Sequence, residues 1–244
     1  MSLFSRRKPK IQTFEAASPE VTFIYTYYNQ IDMLRNQLET WRNYPEGVRN
    51  RIRFMLVDDC SRRTASELVG NPNIDLSIYR ILEDKYCNIG GARNLGTKAC
   101  ETKWMLHSDM DHVIPAIAAE AMLKLASLDD RKIYKFKRID HTTGETKIHP
   151  GTMLLTPDVY WEVGGCDEDF VGNYGQTDIH FFHRADKIIE TDKREDIQME
   201  IHHEGETKEI DRSKLEPNRQ LFEEKKTSGA WSTDFLRFEW EKQR

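Results

Sequence analysis

The sequence of 244 residues predicts an α/β protein with a mostly parallel central sheet flanked by helices. Its first half alternates apolar, β-branched or aromatic runs with segments of helical periodicity, which indicates parallel strands joined by right-handed crossovers. Several of the apolar runs end directly in carboxylate or hydroxyl residues. Because ligands bind beyond the carboxyl ends of such strands, we expect a functional site at that edge of the sheet.

The strands of the first half are predicted from four runs, VTFIYTYY, RIRFMLV, LSIYRIL and KWMLH. Apolar residues at helical spacing predict a helix between the first two runs, with Asn29 as its cap. GGARNLGTKAC predicts another helix, which has small residues on one face. In this arrangement Thr26, Asp59 and Asp109 all lie at strand ends.

The second half has a less regular pattern. AIAAEAMLKLAS predicts a helix, and the segments on either side of Gly144 predict a β-ribbon that turns there. Thr156 is the expected N-cap of a further helix, with Pro157 in its first turn. MEIHH predicts one more strand. The last residues predict an exposed, partly helical tail with aromatic side chains that are able to pack back onto the domain.

Composition and charge argue against several classes of protein. A formal net charge of -5 gives no global indication of a nucleic-acid partner. No apolar stretch is long enough to span a bilayer, and the basic N-terminal arm suits at most peripheral contact with an acidic membrane surface. The cysteines are scattered without a CxxC pair, which predicts a reduced chain of cytoplasmic location.

The segment HSDMDHVIP places Asp109 and Asp111 in a D-x-D pattern directly after an apolar run. Two carboxylates at this spacing are able to converge on one hard cation, because Mn²⁺ and Mg²⁺ prefer oxygen ligands. The alternative is a solvated polar turn that closes the strand. The position after a buried strand of an α/β sheet favours the metal site.

A second acidic pair follows the strand RIRFMLV. Asp58 and Asp59 are either capping residues for the next helix or contacts for a ligand. One carboxylate there is suited to accept a hydrogen bond from the imide N–H of a uracil ring.

The segment NIGGARNLG is neither a P-loop nor a clean G-x-G-x-x-G motif. Its glycines let a backbone approach a ligand, and Arg93 is able to contact a nucleotide or its phosphate. The alternative is simple helix–sheet packing with a solvated Arg93.

GGCDEDFVGNYGQTD has four glycines in a short span, which indicates a shaped loop. Asp178 then opens an apolar segment and is either a general base or an N-capping aspartate. Further on, His202 and His203 are candidate metal ligands. Adjacent strand residues face opposite sides, so we expect only one of the two histidines to reach the metal.

Together these motifs resemble the inverting glycosyltransferases of the GT-A fold, which transfer sugars from nucleotide donors. YTYY, DDCS, DMD and WEVGGCDEDF are similar to motifs of the family 2 type, in the same order. HHEGETKEIDRSKLEPNRQLFEE is similar to a galactosyltransferase-like segment with a metal-binding histidine. The resemblance extends roughly over residues 21–224.

The resemblance implies a role for each matching residue. Thr26 and Tyr28 would line the nucleotide base, Asp59 would bind uracil, and Arg93 would lie near the base and phosphates. Asp109 and Gly165 would contact the nucleotide-sugar donor. The metal would be bound by Asp109, Asp111 and either His202 or His203. Asp178 would act as the general base. Thr177 stands where the family usually has a Glu before the base.

The resemblance also implies a domain organisation and partners. We expect a disordered basic arm (1–20), a nucleotide-sugar-binding half (21–112), an acceptor-binding and catalytic half (113–215) and a C-terminal helical tail (216–244). The implied cofactor is Mn²⁺ or Mg²⁺, and a UDP-sugar is favoured over a GDP-sugar as donor. The acceptor would be a carbohydrate, a lipid-linked sugar or a protein.

Three alternatives remain from the sequence. A nucleotidyltransferase would carry a glycine-rich, basic signature near its first strand, which YTYYNQ lacks. A non-catalytic sugar-nucleotide or carbohydrate-binding module would keep Asp59 without needing Asp178. A metal-dependent hydrolase would use Asp109, His112 and the later histidines but would leave the DDCS strand end without a role.

Overall fold

The computed structural model describes residues 19–202 and 212–244. The strands are Val21–Tyr27 (β1), Ile52–Asp59 (β2), Leu76–Ile81 (β3), Trp104–Asp109 (β4), His112–Val113 (β5), Lys132–Ile139 (β6), Thr146–Leu155 (β7), Glu190–Ile201 (β8) and Trp240–Lys242 (β9). The α-helices are Ile31–Arg42 (α1), Glu46–Arg49 (α2), Ala65–Val69 (α3), Ile89–Ala99 (α4), Ala116–Leu125 (α5), Pro157–Glu162 (α6), Thr177–Ala185 (α7) and Glu216–Ser228 (α8). None of these described helices combines the length and apolar character needed to cross a membrane.

The described strands form one sheet in the order β5-β8-β6-β7-β4-β1-β2-β3-β9. β3, β2, β1 and β4 run parallel to one another, as the alternation in the first half predicts. β7 joins antiparallel to β4, and β6 follows antiparallel to β7. The α/β architecture with a central sheet and flanking helices is therefore confirmed.

Each face of the sheet buries its own apolar layer. On one face Trp41 of α1 stacks on Phe54 at 4.7 Å and lies 5.0 Å from the ring of Tyr25. On the other face Ile24 packs with Leu95 of α4 and Phe181 of α7. Tyr25 and Ile24 are adjacent on β1, so the alternation of side chains along one strand supplies both layers.

One predicted cap is confirmed and one is wrong. The Thr156 hydroxyl accepts the N–H of Val159 at 3.2 Å and so caps α6. Asn29 does not cap α1, because its φ of 56° places it in a left-handed turn before the actual N-cap, Gln30. The Asn29 Oδ1 accepts the N–H of Arg62 at 2.9 Å instead and ties the end of β1 to the loop after β2.

The C-terminal segment packs along the domain beyond α8. β9 pairs antiparallel with β3 at the edge of the sheet. Before it, the buried carboxylate of Glu168 accepts the backbone N–H groups of Leu236 and Arg237 at 2.8 and 3.1 Å. Phe235 lies 5.1 Å from the ring of Trp161. The aromatic residues of this segment therefore pack back onto the domain.

Candidate functional site

The polar strand ends lie side by side at one edge of the sheet. Thr26 of β1 is in register with Asp109 of β4 on one side and with Val57 of β2 on the other. Asp58 pairs with Tyr27, which places Asp59 one residue further along the same edge. The parallel pairing of β1, β2 and β4 thus brings the predicted residues together.

The two neighbouring aspartates after β2 have different surroundings. Asp58 accepts the N–H groups of Ser61 and Ala65, each at 2.8 Å, and pairs with Arg80 at 3.0 Å. It therefore holds the turn that leads into α3. Asp59 accepts the N–H of Asn88 through Oδ2 at 3.0 Å, whereas its buried Oδ1 has no partner among the described residues.

Burial raises the pKa of Asp59 to about 7, against the smaller effect of the Asn88 N–H, which lowers it. Tyr28 lies close enough for the charge of Asp59 to contribute to its own raised pKa, after burial and Asp84. The Tyr28 hydroxyl is 3.3 Å from the Asp84 carboxylate. The unpartnered oxygen of Asp59 and the Tyr28 side chain lie at the edge of the sheet where the sequence predicts that a nucleotide base binds.

The D-x-D motif belongs to a cluster with two histidines. Ligand atoms of Asp109, His112 and His149 lie within 4.8 Å of one another, and the His112 Nε2 is 3.8 Å from the Asp111 Oδ1. Burial, reinforced by the charge of Asp109, raises the pKa of Asp111 to about 6. Burial acts to raise the pKa of Asp109, but the combined effects of Arg93, His112 and His149 lower it below its ordinary value.

His149 is a member that the sequence interpretation missed. It lies on β7, whose antiparallel pairing with β4 sets Met153 opposite His107 and brings the start of β7 to the D-x-D turn. Only this long-range register places His149 near Asp109. A histidine two residues before a glycine in a β-ribbon carries no local signal of its own.

Both histidines have defined hydrogen bonds. His149 Nδ1 accepts the N–H of Gly151 at 3.1 Å, so its Nε2 is the nitrogen left for other contacts. His112 contacts the Thr152 hydroxyl at 2.8 Å through Nδ1 and Arg138 at 3.2 Å through Nε2. Burial lowers the pKa of each histidine to about 4, so both are neutral at neutral pH.

Of the two histidines predicted as metal ligands, His202 is among the residues that the structure describes. The N–H of His202 donates to the Asp111 carbonyl at 2.9 Å, and its Nδ1 lies 2.7 Å from the Asn36 amide nitrogen. His202 is therefore next to the D-x-D turn but is not a member of the cluster found among the described residues. His203 lies outside the described residues. Metal binding by either histidine stays a prediction.

Asp178 is the second residue of α7, so it is not the N-cap of that helix, which is Gln176. Its carboxylate forms an ion pair with Nη1 of Arg93. The Nη2 of the same guanidinium donates to Asp109 at 2.8 Å and to the Gly151 carbonyl at 3.2 Å. One buried arginine therefore joins the predicted base to the D-x-D motif.

The loop that contains Gly164 and Gly165 is bound by a residue in the last turn of α7. Gly165 has a φ of 60°, and a Cβ there would come within 2.8 Å of the Trp161 ring, so both its conformation and its packing require glycine. The Arg184 guanidinium donates to the carbonyls of Val163, Gly164 and Gly165. α7 thus carries the predicted base at its start and the anchor of this loop at its end.

The parallel sheet, the acidic strand ends and the loop before α7 define a glycosyltransferase of the GT-A fold. The sequence profile of glycosyl transferase family 2 matches residues 22–198, and the chain belongs to that family. The family-level resemblance that the motifs suggest is therefore confirmed.

Individual relatives are more distant. The succinoglycan biosynthesis protein ExoO of Rhizobium meliloti (strain 1021) is 31% identical over 111 residues, which are 44% of this chain and 30% of that protein. A mannosyltransferase, PcManGT from Pyrobaculum calidifontis, solved with GDP-Man and Mn²⁺, is 15% identical with a TM-score of 0.61, covering 87% of this chain and 64% of its own.

Residues 1–349 of S. aureus TarS, solved with UDP-GlcNAc, are also 15% identical, with a TM-score of 0.62 and coverage of 83% and 65%. The chain spans less than two thirds of each of these proteins. At such identities the two structures establish the fold alone.

Proposed function

We propose that this chain is an inverting glycosyltransferase that transfers a sugar from a UDP donor to an acceptor hydroxyl with a divalent metal. The observation that carries the proposal is the meeting of four carboxylates at one edge of the sheet. Asp59 lies at the end of β2, Asp109 and Asp111 follow β4, and Asp178 is tied to Asp109 through Arg93. These groups match the needs of base recognition, metal binding and proton transfer.

Asp59 supports a donor that contains uracil. Its buried Oδ1 has no partner among the described residues, and a buried acceptor of this kind favours a ligand that supplies an N–H. The imide N–H of uracil is such a donor. Thr26 and Tyr28 stand beside it as the proposed lining of the base, and Gly165 as a contact near the sugar.

The residues around the D-x-D motif fit Mn²⁺. Ligand atoms of Asp109 and of the neutral His112 and His149 imidazoles cluster within 4.8 Å, and Asp111 lies 3.8 Å from His112. This mixed oxygen and nitrogen set suits Mn²⁺ and, less well, Mg²⁺. The proposed ligands are Asp109, Asp111 and His149, with His202 or His203 as a further member. A bound cation would neutralise the charge that develops on the leaving diphosphate.

Asp178 is the proposed general base. Its side chain is about one-quarter exposed, at 25%, so an acceptor hydroxyl is able to reach it. The carboxylate would accept the hydroxyl proton as the oxygen attacks the anomeric carbon from the side opposite the diphosphate. One displacement of this kind inverts the anomeric carbon, and an α-linked donor gives a β-linked product.

The proposed acceptor is a carbohydrate, a lipid-linked sugar or a protein, and no nucleic acid is involved. A cytoplasmic location is proposed because all four cysteines are free thiols. The basic N-terminal residues that suggest peripheral membrane contact lie outside the described residues.

Hydrolysis of α-linked UDP-sugars tests the proposal without a known acceptor, because water replaces the acceptor hydroxyl. We expect Mn²⁺-dependent release of UDP from one member of a UDP-sugar panel, with the β-anomer of the sugar appearing first by NMR. Asp178→Asn should lower this rate by about 10² to 10⁴-fold. Asp186→Asn, on an exposed residue at the end of the same helix, is the matched control. First release of the α-anomer, or full activity of Asp178→Asn, would contradict the proposed mechanism.

A further inference from the structure

Arg93 lies in the interior beneath two partly open carboxylates. The arginine side chain is 1% exposed, whereas those of Asp109 and Asp178 are each 25% exposed. Both terminal nitrogens of the guanidinium are engaged: Nη1 by Asp178, and Nη2 by Asp109 and the Gly151 carbonyl. The two carboxylates are therefore partly open to solvent, whereas the cation that pairs with both of them is buried.

This placement does not suit a phosphate contact. A residue that binds the donor diphosphate must present N–H groups to the ligand, and the terminal nitrogens of Arg93 contact protein acceptors instead. Releasing them would leave the buried guanidinium without its two carboxylate partners, and an unpaired buried charge is costly. A second interpretation therefore stands beside the expectation that Arg93 contacts the nucleotide or its phosphate: the arginine binds and orients the two carboxylates.

The helix that carries Arg93 also packs on the helix that carries Asp178. A Cβ at Gly90 of α4 would come within 3.0 Å of the Thr177 methyl group at the start of α7. The helices that carry Arg93 and Asp178 are therefore in close contact at this point. A guanidinium is a rigid planar fork that is able to bond two carboxylates at once, which the single ammonium of lysine cannot reproduce with the same geometry.

We infer that Arg93 is a positioning residue that holds Asp178 in a fixed place relative to the D-x-D carboxylate, rather than a ligand of the donor phosphates. The inference rests on the proposed role of Asp178 as the base. It assigns the arginine to the alignment of the acceptor hydroxyl with the donor. Loss of that alignment should affect turnover much more than donor binding.

Arg93→Lys tests this assignment, since it keeps the charge and removes the fork. We expect kcat for UDP-sugar hydrolysis to fall by about 10²-fold, the size expected when a reacting group is misplaced by about 1 Å. The Kd of UDP and the ratio of the UDP and uridine Kd values, measured by calorimetry, should stay within about threefold of the unmodified protein. For Arg93→Ala, millimolar guanidinium should restore part of the rate.

The matched control is Arg53→Lys. Arg53 also bridges two carboxylates, Asp75 at 3.2 Å and Glu101 at 2.5 Å, but it lies at the start of β2, at the other end of that strand from Asp59. This variant should leave both kcat and the Kd of UDP unchanged.

Two results would overturn the inference. Unchanged kcat in Arg93→Lys would show that the fork does not align the base. A tenfold or larger loss of UDP affinity with unchanged uridine affinity would assign Arg93 to the phosphates.

Failure of the proposed function gives a different pattern, because the unmodified protein would then not turn over any UDP-sugar. In that case a double-mutant cycle on denaturant unfolding with Arg93→Lys and Asp178→Asn still tests the contact. Additive effects of the two substitutions would overturn the inference, and non-additive effects would show that Arg93 holds Asp178 whatever reaction the site carries out.

Discussion

Asp58 and Asp59 are adjacent, yet the fold gives them separate tasks. Asp58 is bonded to two backbone N–H groups and to Arg80, so its charge is compensated by the protein. Asp59 has only the Asn88 N–H and keeps one buried oxygen without a partner among the described residues. An incompletely satisfied carboxylate is a cost to the folded protein that a ligand N–H would relieve.

Asp59→Asn should stabilise the protein more at pH 8 than at pH 5. Burial raises the pKa of Asp59 from 3.8 to about 7, so between these values the unfolded chain releases a proton that the folded protein retains. The unmodified protein therefore loses stability as the pH rises from about 4 to about 7, and asparagine removes that loss. We expect a gain on the order of 2–4 kcal/mol at pH 8 from denaturant unfolding. A gain of equal size at both pH values would contradict this assignment.

Asp111 should make Mn²⁺ binding depend on pH. Its pKa is raised to about 6, first by burial and then by the charge of Asp109, and the proton must leave before the carboxylate binds a cation. The pKa values of His112 and His149 lie near 4, so these imidazoles are neutral from pH 5 to 8. Titration of Mn²⁺ alone, followed by its EPR signal, should show affinity falling by up to about tenfold per pH unit below pH 6.

Asp111→Asn is the control for this pH dependence, because its side chain does not titrate. The variant should bind Mn²⁺ weakly and with little change between pH 5 and pH 7. If it kept the full pH dependence of the unmodified protein, another group would be responsible.

At the scale of elements, α7 links two parts of the site through residues at its opposite ends. Asp178 lies in its first turn, and Arg184 in its last turn donates to three carbonyls of the loop that follows α6. These carbonyls include that of Gly165, the proposed contact near the sugar. Movement of α7 would therefore displace Asp178, the proposed base, and the loop together.

Arg184→Met should destabilise the protein by about 2–4 kcal/mol, because it leaves buried carbonyl groups without their charged donor. The midpoint of denaturant unfolding measures this effect. Arg219→Met, at an exposed residue 3.9 Å from Glu216, is a matched control that should change stability by less than about 0.5 kcal/mol. Equal effects of the two substitutions would argue against an anchoring role for Arg184.

The elements differ in how far the sequence predicts them. Local patterns suffice for β1 to β4 and for α4, because buried parallel strands and small-residue helices have a distinct composition. They also predict the strand-end carboxylates, since parallel pairing brings those ends to one edge. His149 and the contacts of Arg93 depend on pairing between distant segments, and the local pattern around either residue does not encode that register.

At the scale of the whole molecule, the C-terminal segment binds the loop before α7 that contains Asp167 and Glu168. Buried Glu168 accepts the N–H groups of Leu236 and Arg237, and buried Asp167 pairs with Lys225 at 2.8 Å. The acidic residues of the GGCDED motif are thus engaged by the chain's own last segment. This interlock connects the edge strand β9 to the loop before α7.

Glu168→Ala should loosen this segment without unfolding the domain. The backbone N–H groups of Leu236 and Arg237 would lose their acceptor, at a cost of about 2–4 kcal/mol to overall stability. Limited proteolysis should then cut within residues 229–239 faster than in the unmodified protein. Glu216→Ala, at the exposed start of α8, should leave the cleavage rate unchanged. Equal cleavage rates in all three proteins would show that Glu168 does not retain the segment.

The most direct test of the central claim is a calorimetric titration of UDP, with and without Mn²⁺, on the unmodified protein and on Asp111→Ala. The account predicts UDP binding that requires Mn²⁺ and is lost in Asp111→Ala. It also predicts that UDP binds in preference to GDP, because Asp59 is assigned to the uracil imide. Absence of UDP binding with every divalent metal tested, or tighter binding of GDP than of UDP, would contradict the proposed donor site.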